Sequence, residues 1–129
     1  MPTYDSTQFD PPAPLARVTL RTLSNGNIVP DVPMLIDSGA DLTLIPGRFI
    51  EVLKLEVDQS ESYELEGFDG NRSMAESVQL ELVFLRRSFR GRFLLVNSQS
   101  GILGRNVLNH FAILLDGPGL SWELTDAVK

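Results

Sequence analysis

Chemistry in this chain concentrates where an apolar run meets a carboxylate, a small hydroxyl residue and a glycine: Leu35-Ile36-Asp37-Ser38-Gly39-Ala40-Asp41-Leu42. Val32, Met34, Leu35 and Ile36 lead into this turn, and Leu42, Leu44 and Ile45 follow it, so the turn is expected inside a core. An ionised aspartate between apolar strands is costly unless donors or a partner compensate it. Gly39 lacks a Cβ, which lets backbone approach the carboxylate and donate to it. Ser38 supplies a second short-range donor. Asp-Ser-Gly is also ordinary turn and helix-capping chemistry, so the tripeptide alone does not decide.

A second segment does more. Gly101-Ile102-Leu103-Gly104-Arg105-Asn106-Val107-Leu108 runs from apolar residues through a glycine into a short helix-like stretch over 106–111. Residues 35–46 and 102–108 together resemble the retroviral-type aspartic proteases, the retropepsins, in type, order and separation. The resemblance covers most of residues 17–116. It implies an all-β, single-domain, closed barrel-like fold with a flap hairpin and one or two short helices. It further implies a homodimeric aspartic endopeptidase that needs no metal or cofactor and acts on an extended peptide.

By that resemblance Asp37, Ser38 and Gly39 are the catalytic triplet. Asp37 would pair with its symmetry mate, Ser38 would bond across the axis, and Gly39 would offer its carbonyl to substrate. Ala40 and Asp41 would bind substrate, with Arg105 holding Asp41. Gly104 and Asn106 would support the loop. A flap tip at Gly67-Phe68-Asp69-Gly70-Asn71 would close over the peptide, with Phe68 either covering the cleft or facing the core. The alternative is a non-catalytic peptide-binding or dimerisation module on the same fold.

The remaining chemistry is sparse. With one histidine, His110, and no cysteine, a Ser-His or Cys-His nucleophile system is not expected, and phosphate-binding glycine loops are missing. The formal charge of −6 does not favour nucleic acid or anionic membrane. Arg86, Arg87, Arg90 and Arg92 form one basic cluster, read as a solvated hairpin turn. His110 is expected at a helix C-terminus. No apolar run approaches a membrane span, and the N-terminus lacks a signal-peptide pattern, so a cytoplasmic location is expected.

At 129 residues one domain is expected. Residues 1–15, with prolines at 2, 11, 12 and 14, read as a mobile arm, and 16–129 as the protease-like domain. Strands are expected over 16–23 and 28–36, joined by an Asn25-Gly26 turn, with Pro30 and Pro33 suggesting an edge or bulged start. Further strands are expected over 42–45, 57–66, 74–85 and 89–96, and a short helix over 48–53. Leu80, Leu82 and Phe84 alternate with Gln79, Glu81 and Val83, which predicts one buried face. A last hairpin, 112–115 with 120–124, turns at Asp116-Gly117-Pro118-Gly119. It departs from the viral enzymes, whose C-terminal strand joins a sheet with both termini of the partner.

Overall fold

The computed structural model describes residues 2–54, 58–66 and 72–125, with 58–66 and 72–75 as backbone. Val18 and Leu20 are buried while Arg17 is exposed, the alternation of a half-buried strand, β2 (Ala13–Arg21). A short strand, β1 (Tyr4–Asp5), pairs with its start. The Asn25-Gly26 turn, with Gly26 at φ 75°, joins β2 to β3 (Ile28–Ile36). Then come β4 (Leu44–Pro46), helix α1 (Phe49–Leu53), β5 (Asp58–Glu66), β6 (Arg72–Phe84), β7 (Arg87–Val96), β8 (Gly101–Leu103) and helix α2 (Arg105–Leu108). The hairpin β9 (Ile113–Asp116) and β10 (Ser121–Leu124) follows.

The main sheet orders its strands β1-β2-β3-β8-β4-β7-β6-β5, and an additional β2–β6 pairing closes it. The ring β2-β3-β8-β4-β7-β6 is therefore a six-stranded barrel, the all-β architecture expected. Two of its ladders, β3–β8 and β4–β7, are parallel. The segment 101–103 reaches its place by threading between β3 and β4. Leu20, Met34, Ile45, Leu80, Leu82 and Leu103 fill the interior with no exposed surface. Trp122 anchors the β9–β10 hairpin to this core. It is 2% exposed, donates its indole N–H to the Leu15 carbonyl at 2.9 Å, and packs 6.1 Å from Phe84. Among the described residues no helix is long and apolar enough to cross a membrane.

Several local expectations need correction. Of the two readings of the prolines in β3, the edge gives way, since β3 lies between β2 and β8, and the bulged start holds. Pro30 lies in a bulge where Val18 pairs Val32 but Leu20 pairs Val29, with Asp31 at φ 58°. Pro33 precedes the β8 ladder, which begins at Met34, so its missing N–H breaks no bond there. Glu81, expected on the open face, is 3% exposed. Its cross-strand neighbours Arg21 and Arg90 cover it, Arg90 at 2.7 Å, and both hold its carboxyl below the usual range, Arg90 foremost. The basic hairpin is thus partly spent on an internal charge, and Arg92 donates to Ser77 Oγ at 3.3 Å. Arg86 is exposed in the turn itself, where Leu85 and Arg86 both have positive φ. β2 begins at Ala13, and residues 2–4 bond to β10 and the residue before it, through Trp122 N–H to the Pro2 carbonyl and Tyr4 N–H to the Leu120 carbonyl. His110 stands at the C-terminus of α2 as expected, directly after the Asn109 cap, with its N–H donating to the Val107 carbonyl and its ring 5.3 Å from that of Phe89.

Candidate active site

Asp37 leaves β3 directly, and its N–H donates to the Leu103 carbonyl of β8 at 3.1 Å. The barrel ladder thus fixes the backbone that carries the carboxylate. A tight turn follows, closed by Ala40 N–H to the Asp37 carbonyl at 3.1 Å. Gly39 N–H donates to Asp37 Oδ1 at 3.0 Å, the donor that a glycine at this position was expected to give. Asp37 is half-buried, whereas Ser38, Gly39 and Asp41 are exposed. The turn therefore presents its carboxylate at the surface of the protomer rather than within the core.

The threading segment holds the loop from behind. Arg105 N–H donates to the Ala40 carbonyl at 2.8 Å and Asn106 N–H to the Asp41 carbonyl at 3.3 Å, so the free donors of the first turn of α2 are satisfied by the loop. Gly104 is required by contact. A Cβ there would lie 2.9 Å from the Leu42 nitrogen and closer still to its carbonyl group. Leu42 consequently contributes backbone to this packing, and its side chain, expected inside, is 43% exposed.

Thr43 is a residue of the candidate site that the sequence reading passed over. It is 1% exposed, accepts the Gly104 N–H at 3.0 Å and donates to Asn106 Oδ1 at 2.7 Å. One hydroxyl thereby ties the exit of the loop to the glycine and the helix behind it. The only signal was a threonine in an otherwise apolar stretch, Leu42 to Pro46.

Arg105 reaches the loop differently from the expectation. Its Nη1 donates to the Ser38 carbonyl at 2.7 Å, and the ion pairs among the described residues do not include Asp41. Both side chains are exposed in the protomer, so neither demands a charge partner. Gly67, Phe68, Asp69 and Gly70, with Asn71, lie outside the described residues; the β5–β6 hairpin leads to and from them. Among the described residues no group of three or more His, Cys, Asp or Glu side chains converges as a cation site.

Comparison with known proteins bears on the fold. No protein-family model matches the chain, and no curated protein matches it. Among solved structures, EIAV protease complexed with the inhibitor HBY-793 is similar with a TM-score of 0.57, over 76% of this chain and 86% of that one, at 23% identity. The likeness is one of fold, and it is to a retroviral protease.

Proposed function

We propose that the chain is one half of a homodimeric aspartic endopeptidase. The observation that carries this reading is Asp37 held by the barrel and by Gly39 yet half-exposed, with a loop tied from behind by residues 104–106. The residue types of both segments and the likeness to a retroviral protease fold support it. Hydrolysis by carboxylates needs a pair. One takes a proton from water as it attacks the peptide carbonyl, and the other, holding the shared proton, polarises the carbonyl oxygen. Each protomer offers one such loop, and a two-fold axis would bring Asp37 against its mate. Ser38 and Gly39, exposed beside it, are available to the partner loop and to substrate backbone. Ala40 and Asp41, next along the loop, would bind the substrate main chain, and the tip at 67–70 would close over the peptide.

The test is cleavage of a mixed peptide library across pH by wild type and Asp37→Asn. Wild type should cut with a bell-shaped pH profile, because the pair works only with one proton between two carboxylates. The Asn variant should fold and be inert. Undiminished cleavage by a rigorously purified Asn variant would remove Asp37 from the chemistry.

A further inference from the structure

A row of three charges crosses the outer face of the barrel. Arg21 of β2, Glu81 of β6 and Arg90 of β7 are direct cross-strand neighbours. Arg21 donates to Glu81 Oε1 through Nε at 2.5 Å and through Nη2, and Arg90 Nε donates to Oε2 at 2.7 Å. The glutamate beneath is 3% exposed, whereas the side chains of Arg21 and Arg90 are 44% and 74% open. No other side-chain bond of Arg90 is made among the described residues, so its terminal amino groups are left to solvent. One negative charge thus orients two positive ones. An exposed ion pair adds only about 0–1 kcal/mol, and desolvating its carboxylate offsets part of that, so stability alone does not call for the arrangement. Arg92, two residues along β7 on the same face, lies about 7 Å from Arg90 by strand rise and donates to Ser77 Oγ at 3.3 Å. Three arginines share this face with a single acidic residue, in a chain whose formal charge is −6.

We infer that this face holds an extended acidic segment of a partner protein, with carboxylates on alternate residues. Glu81 itself shows which group the row accepts, since its carboxylate takes both guanidiniums. Residues on one side of an extended peptide recur at about 7 Å, the spacing of Arg90 and Arg92, so successive carboxylates meet successive guanidiniums. Because Glu81 already holds Arg21 and Arg90 in place, little side-chain freedom is left to lose on binding. A nucleic acid fits less well. The other outward residues, Thr19, Gln79, Val83 and Ser88, offer no ring on which a base could stack. A long polyanion would also meet the net negative charge of the rest of the chain.

The probe is a short fluorescein-labelled peptide of alternating Glu and Ser, titrated with the full chain at low salt and followed by anisotropy. Wild type should bind it, and added salt should weaken the binding. Asp37→Asn should bind as wild type does, since the face is separate from the candidate active site. Arg90→Gln should weaken binding about tenfold, the scale of one charge-assisted fork. Glu81 keeps both of its bonds from Arg21 in that variant, so its melt should stay near that of wild type. Arg92→Gln leaves the row intact and should also weaken binding, by about fivefold. Arg90→Lys keeps the charge, gives up the fork and should lose nearly as much as Arg90→Gln. Lys54→Gln, the same loss of charge at an exposed position elsewhere, should change nothing. Failure of wild type to bind, or binding unchanged in both Arg90→Gln and Arg92→Gln, would overturn the inference. So would tighter capture of a short single-stranded DNA than of the Glu-Ser peptide. Self-association in sedimentation that Arg90→Gln abolishes would assign the face to a second copy and overturn it as well.

Discussion

Replacing Thr43 with valine isolates what one hydroxyl contributes behind the candidate catalytic loop. The side chains are nearly the same shape, so the change removes two hydrogen bonds and little volume. Gly104 N–H, paired at 3.0 Å in a buried setting, would lose its acceptor where water does not reach, since Thr43 is 1% exposed. An orphaned buried donor costs about 1–3 kcal/mol. Asn106 is exposed and can turn its amide to water, so its lost 2.7 Å bond adds about 0.5 kcal/mol. The net expectation is a loss of about 2 kcal/mol. With a urea slope of about 2 kcal/mol/M, the unfolding midpoint should fall by about 1 M. The melting temperature should fall by about 8 °C, at about 4 °C per kcal/mol for a chain of this size. Protomer concentration must be held fixed, because association would add to apparent stability. Thr43→Ser, which keeps the hydroxyl and gives up a methyl group, should lose only about 1 kcal/mol. A valine variant within about 0.5 kcal/mol of wild type, or a serine variant less stable than valine, would refute the tether; about 0.5 kcal/mol is the scale of a neutral surface change.

Gly104→Ala should be far more damaging than Gly39→Ala. The first drives a Cβ into the Leu42 backbone, which cannot swing aside, at a cost of about 3 kcal/mol or more; the second meets only the Asp37 carboxylate at 3.2 Å. Thermal melts of the two should separate clearly. Arg105→Ala should change stability by less than about 1 kcal/mol, and a double-mutant cycle with Asp41→Ala should show additivity, since the guanidinium bonds the Ser38 carbonyl. Acid titration of stability should expose Glu81. Its carboxyl is held below the usual range in the fold, so its contribution is fully present above about pH 4.3, the unfolded glutamate value, and is lost as pH falls through the lower folded value. Glu81→Gln should flatten that limb in denaturation curves measured from pH 5 to 2.

The loop at 35–42 and the segment at 101–108 were legible because their chemistry restricts residue type. A carboxylate needs a close donor, and the backbone passing behind it needs glycine. The Asn25-Gly26 turn was legible for the same kind of reason. Glu81 was not, because period-two alternation assigns faces on one sheet, and in a closed barrel the outer face can itself be roofed by long arginines from both neighbouring strands. Thr43 escaped notice since its partners lie at positions 104 and 106, a pairing that only the threading of β8 between β3 and β4 creates. Pro30 and Pro33 left the reading of β3 open between an edge and a bulged start, and the bulge is what is found: prolines exclude particular hydrogen bonds, and a bulge and a late-starting ladder place the excluded bonds where none is made.

The distribution of exposure across the protomer bears on where the chemistry would take place. A cleft of about 640 Å³ lies among Tyr4, Asp5, Arg17, Phe49, Phe84 and Trp122, and Asp37 is not in its lining. Around Asp37 the protomer instead offers exposed Ser38, Gly39 and Asp41 and a leucine, Leu42, with 43% of its surface open. Such a surface is poor in the enclosed walls that make fixed donors and paired carboxylates effective, because water screens every charge there. The loop is nonetheless fixed by the barrel and by α2, at Asp37, Ala40 and Asp41 in turn, which is more constraint than an exposed turn requires for stability alone. Rigidity on the inner side combined with openness on the outer side suits a half-site whose missing wall comes from outside the protomer. On the proposed reading a second Asp37 loop supplies one wall and the peptide with the 67–70 tip supplies the other. Exclusion of water, and with it catalysis, would then begin only once dimer and substrate are both in place.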